Sequence, residues 1–347
     1  MTVLAKPHAI SAWAAACLEK AGVPRSEAQL VAESLVQTSI WGVDSHGVLR
    51  LTHYLRRLTI GSIKPAARPQ LTRTGPVTAQ VHGDDGLGIV HATLAMASAI
   101  EMARENGVGV VGVGHSSHCG AMQLYTRMAA RERLIGIGLT HSSAVVVPHG
   151  GTKKYFGTNP ISVAIPRAGG EPACLDMATS QIAWNKVHNA RIEGRPLDEG
   201  VAVDADGAPT TDPHRAKAAI PLGGPTYGYK GFGLAFMVDL LCGALNGMAF
   251  GRHINSMYED LQNPRKIGHL LMAIEPGRFA GGATLEATTD AVIADLRTQG
   301  EILYPGEPEE RAQAERAVAG IPIDAAALAD MEEWSARLSI PFFTENP

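Results

Sequence analysis

The chain has 347 residues, and its 30 Lys and Arg against 34 Asp and Glu give a net charge of −4. This balance lacks the basic excess that binding to a phosphate backbone requires, so we expect no nucleic-acid partner. With 45% hydrophobic and 18% charged residues, the chain is able to bury a large core, which excludes disorder as its main state. No segment reaches 18 consecutive apolar residues, so we predict no membrane span.

The four cysteines, Cys17, Cys119, Cys174 and Cys242, lie far apart and form no CxxC pair. This spacing predicts neither a disulfide framework nor a zinc site, and it favours reduced thiols. The first 22 residues have the pattern of an amphipathic helix rather than of a signal peptide. We therefore expect a cytoplasmic protein.

Periodicity predicts an alternation of helices and strands. The predicted helices are 8–22, 26–40 (with Ser26 as N-cap), 45–60, 89–105, 121–133, 232–245, 285–299, 308–318 and 324–338. The predicted strands are 75–82, 108–113, 134–143, 161–166, 173–178 and 269–274. Residues 144–160 and 195–230 are predicted to be mainly loop, with one short helix in the second segment. Residues 232–245 are apolar on every side, which predicts a buried central helix. The alternation indicates an α/β fold.

Residues 107–112 spell GVGVVG, which matches the GxGxxG pattern of dinucleotide-binding loops. In a Rossmann fold these glycines follow a strand and open a helix, whose N-terminus then meets the pyrophosphate. Here a predicted helix precedes Gly107, and the glycines lie inside a predicted strand. We therefore interpret them as small residues that allow close packing. The GxxxxGK[ST] pattern of a P-loop is absent as well.

The predicted helix 45–60 carries chemically active side chains on one face. A wheel at 100° per residue places five side chains in one sector, opposite a leucine-rich face: His46, Arg50, His53, Tyr54 and Arg57. Arg50 is suited to bind a carboxylate bidentately, and His46 to transfer a proton near neutral pH. Ser45 is a candidate N-cap whose hydroxyl also orients the imidazole. The wheel leaves open the alternative of an ordinary solvated helix face.

A second candidate site is the loop GHSSHCGAM, residues 114–122, where backbone N–H groups between a strand and a helix suit an anion. Its two histidines, His115 and His118, are candidates for function or for local backbone contacts. They lack a third ligand nearby, so we predict no metal. In the glycine-rich turn TYGYKGFG, Lys230 either binds a phosphate or is an ordinary solvent-exposed lysine. Asp239 requires a polar partner if it is buried.

Residues 8–335 resemble the malate/L-lactate dehydrogenase family, which is distinct from the Rossmann-type lactate and malate dehydrogenases. The resemblance is carried by DSHGVLRLTHYLRRLTIGSIKP, HCGAMQLYTRMAARERLIGIGLTHSSAVVVPHGGTKKYFGTNPISVAIP, LDMATSQIAWNKV, DADGAPTTDP, YGYKGFGLAFMVDLLCGAL and INSMYEDL. AWNKV, DADGAPTTDP, FGRHINSMYEDL and the SSHCGA loop look most like the ureidoglycolate dehydrogenase branch.

The resemblance implies an α/β fold with a mixed sheet and a nicotinamide-binding arrangement of its own, not a Rossmann fold, with helical N- and C-terminal segments. It implies one family-wide unit over 8–335 with three parts. Residues 1–75 form a helical segment with substrate residues, 76–250 a cofactor-binding core, and 251–347 a C-terminal part that packs back on this core. It also implies a homodimer.

The resemblance assigns catalytic roles to the pair Ser45 and His46 and to His118. The ureidoglycolate branch uses the residue matching His118 as proton acceptor, whereas imino-acid reductases use the one matching His46, so both stay candidates. The implied substrate contacts are Arg50, Tyr54 and Thr158. The implied contacts to NAD or NADP are His118, Cys119, Gly120, Ala121, Met122, Ser142, Asp176, Met177, Ala178 and Lys230.

These assignments imply an oxidoreductase that passes hydride between nicotinamide and a small 2-hydroxy acid or 2-oxo acid, of malate, lactate, sulfolactate or ureidoglycolate type. One alternative is a reductase of cyclic imino acids. That alternative is weakened because such reductases carry an Asp where this chain has Lys186. The other alternative is an inactive ligand-binding homologue. The presence of His46, Arg50, His118 and Lys230 argues against it.

Overall fold

A computed structural model describes residues 2–343. Its strands are β1 (Val3–Ala5), β2 (Gln70–Arg73), β3 (Thr78–His82), β4 (Val108–Ser116), β5 (Ile135–Thr140), β6 (Ile161–Ile165), β7 (Ala173–Met177), β8 (Ala202–Val203), β9 (Ala218–Ala219), β10 (Ile267–Ile274) and β11 (Ile321–Ile323). Its α-helices are α1 (Pro7–Lys20), α2 (Arg25–Ile40), α3 (Leu51–Ile60), α4 (Gly88–Asn106), α5 (Gln123–Arg131), α6 (Trp184–Glu193), α7 (Gly224–Tyr227), α8 (Tyr229–Cys242), α9 (Gly282–Arg297), α10 (Glu307–Ala319) and α11 (Ala325–Leu338).

The main sheet has seven strands in the order β2-β3-β4-β10-β5-β6-β7. Strands β3 and β4 are parallel and joined through α4, while the other neighbours are antiparallel. The prediction of an α/β fold with a mixed sheet is therefore confirmed. Strand β10 lies between β4 and β5, so a late segment of the chain forms the middle of the sheet.

Two hydrophobic clusters make up most of the core. The first joins α1, α2, α3 and α11 with the small β1–β11 sheet, and the second packs α4 and α5 on the main sheet. Apolar side chains at helical spacing explain both, because each helix turns one stripe towards its partners. The boundary between the two clusters is where α3 approaches the loop after β4, and the candidate site lies there.

The glycines of GVGVVG belong to the packing of the sheet. Gly107 ends α4 with φ +91°, and a Cβ on Gly109 would lie 2.1 Å from the Ala99 carbonyl oxygen of α4. The N-terminus of α4 is also occupied, because Ser117 Oγ accepts a hydrogen bond from the Gly88 amide at 2.9 Å. These contacts agree with the interpretation of the glycines as packing residues.

Three local predictions were wrong. Residues 45–60 do not form one helix, because two 3₁₀ turns, Asp44–His46 and Val48–Arg50, precede α3. A single helical wheel therefore does not describe residues 45–50. Ser26 is not an N-cap, since α2 begins at Arg25 after Pro24. Ser45 does not cap α3 either, because the cap position is Arg50 and no side chain bonds there.

The prediction of a buried central helix at 232–245 was also wrong. One side of α8 packs against the sheet, but large apolar side chains on its other side are exposed in the single chain. These residues, which we call the α8 apolar face, are Leu234, Phe236, Met237, Leu240, Leu241 and Leu245. An apolar helix signals burial, but it does not say whether the covering surface comes from its own chain.

Elements that the sequence did not predict are short or polar: β1, β2, α6, β8, β9 and β11. The four cysteines are buried and form no disulfide. Within residues 2–343, no helix is both long and apolar enough to cross a bilayer.

We predict that Gly109→Ala lowers the free energy of unfolding by about 1–3 kcal/mol, because the added methyl group forces α4 away from β4. Urea denaturation measures the change. Gly282→Ala is the matched control, since its added Cβ comes no closer than 3.8 Å to Pro276 Cγ. We expect cofactor affinity to be unchanged. A loss of cofactor affinity at full stability would contradict our interpretation of the glycines.

Candidate active site

The central contact of the candidate site joins Tyr54 of α3 to His118 in the loop after β4. The Tyr54 hydroxyl lies 2.7 Å from His118 Nδ1, and the Gly120 amide nitrogen lies 3.3 Å from the same atom. The His46 ring stacks on the His118 ring at 5.4 Å, and Ser45 Oγ lies 2.8 Å from His46 Nδ1. With Nδ1 engaged in both rings, each imidazole keeps Nε2 for a substrate.

Arg50 lies beside these two imidazoles at the start of α3. Its Nε donates to the Ser45 carbonyl, and its Nη1 donates to the Tyr258 hydroxyl at 2.8 Å. The side-chain Nδ2 of Asn185 donates to the same Ser45 carbonyl at 3.4 Å. No carboxylate of the described residues pairs with Arg50, so its positive charge is available to an anionic ligand.

The site keeps both imidazoles neutral at neutral pH. Burial, together with the charge of Arg50, lowers the pKa of His46 to about 4. Burial also lowers the pKa of His118 well below its usual value, and the charges of His46 and Arg50 add to this shift. Burial raises the pKa of Tyr54. Both histidines are thus able to accept a proton, and Tyr54 stays a neutral phenol that holds His118 in place.

A buried polar network fixes the loop behind His118. Cys119 Sγ lies 3.7 Å from His269 Nδ1, which also contacts Thr140 Oγ1 at 2.7 Å. The other nitrogen of His269 lies 2.9 Å from Ser116 Oγ, and burial lowers the pKa of His269 to about 3. Side chains of strands β4, β5 and β10 therefore hold the loop 118–122, which is predicted to contact the cofactor.

The end of β7 lies against the same loop. Asp176 Oδ2 accepts a hydrogen bond from the Gln123 amide at the start of α5 at 2.9 Å, and burial raises the Asp176 pKa to about 7. The next residues are tied across the site, because the Thr179 amide donates to the Thr158 carbonyl at 2.8 Å. The structure thus brings Asp176, Met177 and Ala178 close to the 118–122 loop and to Thr158.

Further hydrogen bonds fix the segments beside the remaining predicted cofactor residues, Lys230 and Ser142. The Leu222 amide donates to the Thr179 carbonyl at 2.9 Å, which fixes the turn before α8. Lys230 is exposed in the first turn of α8, with Nζ 5.4 Å from the Tyr227 ring centre. The Ser142 amide donates to Asn159 Oδ1 at 3.1 Å.

Asp239 has the partners that its burial requires. Its two carboxylate oxygens accept from Asn159 Nδ2 at 3.3 Å and from the Gly251 amide at 2.9 Å. Its Oδ1 also lies 3.7 Å from His141 Nδ1. Asp239 therefore connects α8 to the residues beside Ser142 and has a structural role.

The two histidines of the 114–122 loop separate in the structure. His115 stacks on His82 at 4.2 Å and lies 3.7 Å from Asp85, outside the cluster around His118. In the part of the chain that the structure describes, no three His, Cys, Asp or Glu side chains converge as metal ligands.

The sequence analysis missed three residues near the site, Asn185, Tyr258 and Arg265, and it placed Arg57 on the face with His46 without giving it a role. Asn185 and Tyr258 lie next to Arg50, whereas the neighbouring Lys186 is exposed. Arg57 is buried and donates to carbonyls of the segment 256–263, which carries Tyr258. Asn185 and Tyr258 do fall within two motifs of the family resemblance, AWNKV and INSMYEDL.

A sequence model of the family described as malate/L-lactate dehydrogenase matches residues 5–332. The chain belongs to the malate/L-lactate dehydrogenase family. It is 39% identical over 310 residues to a ureidoglycolate dehydrogenase (NAD(+)) of Escherichia coli O157:H7, with 88% of each chain covered.

Two solved structures extend this likeness to the fold. The sulfolactate dehydrogenase from Methanocaldococcus jannaschii matches with a TM-score of 0.90 and 33% identity over 98% of each chain. The delta1-piperideine-2-carboxylate reductase from Pseudomonas syringae matches with a TM-score of 0.87 and 30% identity, over 96% of this chain and 99% of that one. The predictions of the family and of a dehydrogenase are confirmed.

Proposed function

We propose that this member of the malate/L-lactate dehydrogenase family oxidises a small 2-hydroxy acid and, in reverse, reduces the 2-oxo acid. Its family makes it an NAD- or NADP-dependent oxidoreductase of hydroxy acids. One observation carries the assignment of the site: an arginine without a carboxylate partner lies beside two neutral, stacked imidazoles. Such a site binds the substrate carboxylate on Arg50 and keeps a base next to the hydroxyl.

The cofactor contacts that we propose form one continuous surface. It consists of residues 118–122, Ser142, the strand end 176–178 and Lys230. The fit rests on the hydrogen bonds that tie these segments together and on Lys230, which has no ion pair with a described residue. Nicotinamide, when bound, supplies the hydride chemistry. The protein supplies orientation and the path of the proton.

We propose His118 as the residue that takes the hydroxyl proton. This role uses the tautomer in which Nδ1–H donates to the Tyr54 hydroxyl, which leaves the lone pair of Nε2 free to accept the proton. The loop of His118 is also part of the proposed cofactor surface. His46, oriented by Ser45, then helps Arg50 to bind the substrate, and Tyr54 and Thr158 line the substrate space. The centres of the stacked rings are 5.4 Å apart, so two positive charges there would repel strongly. We therefore expect at most one of the two imidazoles to be protonated to the cation at a time.

The imino-acid reductase is the second candidate, since one structural relative carries that activity in its name. A hydroxy acid is better supported. In the described residues, no carboxylate contacts Ser45 or His46, and the position next to Ser45 is taken by the neutral Asn185. A spectrophotometric screen of malate, lactate, sulfolactate, ureidoglycolate and cyclic imino acids with NAD and NADP tests the choice. Turnover of imino acids alone would contradict our proposal.

We further propose that the family-wide unit 8–335 is a cytoplasmic homodimer. Within it, 1–75 supplies substrate residues, 76–250 binds cofactor and 251–347 completes the core. The dimer is supported by the α8 apolar face, because soluble monomers rarely expose such a contiguous patch. A two-fold axis would bury the face against its own copy.

We predict that Arg50→Lys raises KM for the acid about 10–100-fold, because lysine lacks the fork that holds both carboxylate oxygens. Cofactor affinity, measured by nicotinamide fluorescence, should stay unchanged. The control is Arg56→Lys, an exposed position on α3, the helix that follows Arg50. An unchanged KM in Arg50→Lys would mean that Arg50 is not the carboxylate site.

The pH profile distinguishes His118 from His46 as the base. If His118 is the base, His118→Asn lowers kcat by roughly 10²–10⁴. Oxidation requires a neutral imidazole, and lowered pKa values place the acidic limb of kcat/KM below pH 6.5. His46→Asn removes a neighbouring imidazole that becomes positively charged in acid, so the limb should move up towards pH 6.5 while kcat stays within about tenfold.

The reverse pattern would make His46 the base. If both variants keep the native kcat and the native pH profile, neither histidine transfers the proton, and the proposed mechanism is wrong.

We predict that Met237→Glu converts the protein to a monomer, because it places a charge in the middle of the α8 apolar face. Met237 is 58% exposed in the single chain. Light scattering after gel filtration measures the mass. Val318→Glu is the control, since Val318 is 81% exposed on α10, away from this face. A wild-type protein that is already monomeric at micromolar concentration would contradict the dimer.

A further inference from the structure

The turn Asp44–His46 carries residues of the candidate site, yet packing alone holds it loosely. Its three residues are each half-buried, and its backbone bonds are local, such as that from the His46 amide to the Val43 carbonyl at 3.0 Å. Within the turn, Ser45 Oγ contacts the His46 ring, and the Ser45 carbonyl accepts from Arg50. A shift of the turn would therefore move both groups that we assign to substrate binding.

A distant arginine, Arg316 of α10, binds the first residue of this turn. Its Nη1 donates to Asp44 Oδ1 at 2.6 Å and its Nη2 donates to Asp44 Oδ2 at 2.9 Å, so both carboxylate oxygens are held. Nη1 also donates to the Ser39 carbonyl at 2.6 Å, near the end of α2. The Arg316 side chain is only 17% exposed. A shielded pair with two contacts fixes geometry better than an exposed single contact does.

Further contacts hold α10 against the end of α2. Gln313 Oε1 accepts from Trp41 Nε1 at 3.0 Å and from Gln37 Nε2 at 3.1 Å. A Cβ on Gly42, which has φ +80°, would lie 3.2 Å from Ala312 Cβ. Because the packing is this close, α10 has little freedom to move relative to the turn.

The other end of α10 is tied to the edge strand β7, whose last residues are proposed cofactor contacts. The Cys174 amide of β7 donates to the Pro305 carbonyl at 2.8 Å, and Arg127 Nη2 donates to the Gly306 carbonyl at 3.4 Å. The 13 residues of α10 span about 20 Å. This helix thus connects the proposed cofactor strand to the turn that carries proposed substrate residues.

We propose that Arg316 is a positioning residue for the reaction: through Asp44 it sets the place of His46 and Arg50 relative to the cofactor. This inference rests on the proposed function. Arg316 is bound to Asp44 and Ser39, so it acts on the substrate only through the turn. Without the ion pair, the turn loses its bond to α10, and the acid no longer meets its binding groups in one fixed geometry. A misplacement of about 1 Å is enough to lower a rate about 100-fold.

The test is Arg316→Gln, with Arg311→Gln as the matched control. Arg311 lies on the same helix, is 65% exposed and pairs with Glu307 at 2.9 Å. We expect Arg316→Gln to raise KM for the hydroxy acid about 10–100-fold and to lower kcat less than about tenfold. The dissociation constant for NADH or NADPH should stay unchanged. Arg316→Lys keeps the charge without the fork, so its KM should lie between the two, and it replaces Arg316→Gln if that variant does not fold.

A double variant tests whether Arg316 acts through Asp44. Asp44→Asn removes the same ion pair from the other side. Combined with Arg316→Gln, it should therefore raise KM no more than about twofold beyond Arg316→Gln alone. Effects that multiply would mean that the two residues act separately, which would overturn the proposal.

Hydrogen exchange on the free protein follows the turn itself, without turnover. In Arg316→Gln, the amides of residues 41–50 should exchange at least about tenfold faster, while those of α4 and β4 stay unchanged. Unchanged exchange in 41–50, or faster exchange there with an unchanged KM, would overturn the role of Arg316. Faster exchange confined to 41–50 in a protein that turns over no hydroxy acid would instead overturn the proposed function, and the effect of the ion pair on the turn would stand.

Discussion

The hydrogen bond between Tyr54 and His118 joins the two halves of the molecule. Tyr54 belongs to the cluster of N-terminal and C-terminal helices, whereas His118 belongs to the loop on the main sheet. Tyr54 is buried and His118 is half-buried, so the loss of His118 would leave the Tyr54 hydroxyl unsatisfied at a cost of about 1–3 kcal/mol. The bond therefore fixes the helix that carries Arg50 at a set distance from the proposed base.

Positive charge without nearby carboxylates is the second property of the site. The charge of Arg50 adds to burial in lowering the pKa of His46, and the charges of Arg50 and Arg265 add to it in lowering the pKa of His118. An anionic substrate offsets this field when it binds. Binding of the acid therefore also raises the pKa of the histidine base. This coupling suits a reaction in which the proton moves only when substrate is present.

The sequence predicted most of the fold because its signals are local. The long helix α4 and the glycine-rich strand β4 follow from periodicity, and the α/β class follows from their alternation. The position of β10 in the middle of the sheet does not follow, because it depends on pairing with strands more than 120 residues away. The exposed side of α8 was missed, since composition does not reveal what covers an apolar helix.

The candidate site divides in the same way. Ser45, His46, Arg50 and Tyr54 stand within ten residues, so their chemistry is visible in the sequence even though two 3₁₀ turns replace the expected helix. Asn185, Tyr258 and Arg265 reach the site from distant segments. Only the fold shows that Arg265 is buried with no acidic partner among residues 2–343, which is why it gave no signal in the sequence.

The way in which Arg57 holds the segment 256–263 has a consequence for the divergence of such enzymes. Arg57 contacts backbone carbonyls there, which every amino acid possesses, rather than side chains. Substitutions within the segment therefore leave its anchor intact, while they change side chains such as Tyr258, which contacts Arg50. Selection for a new substrate is therefore able to change residues of this segment without a large loss of folding stability.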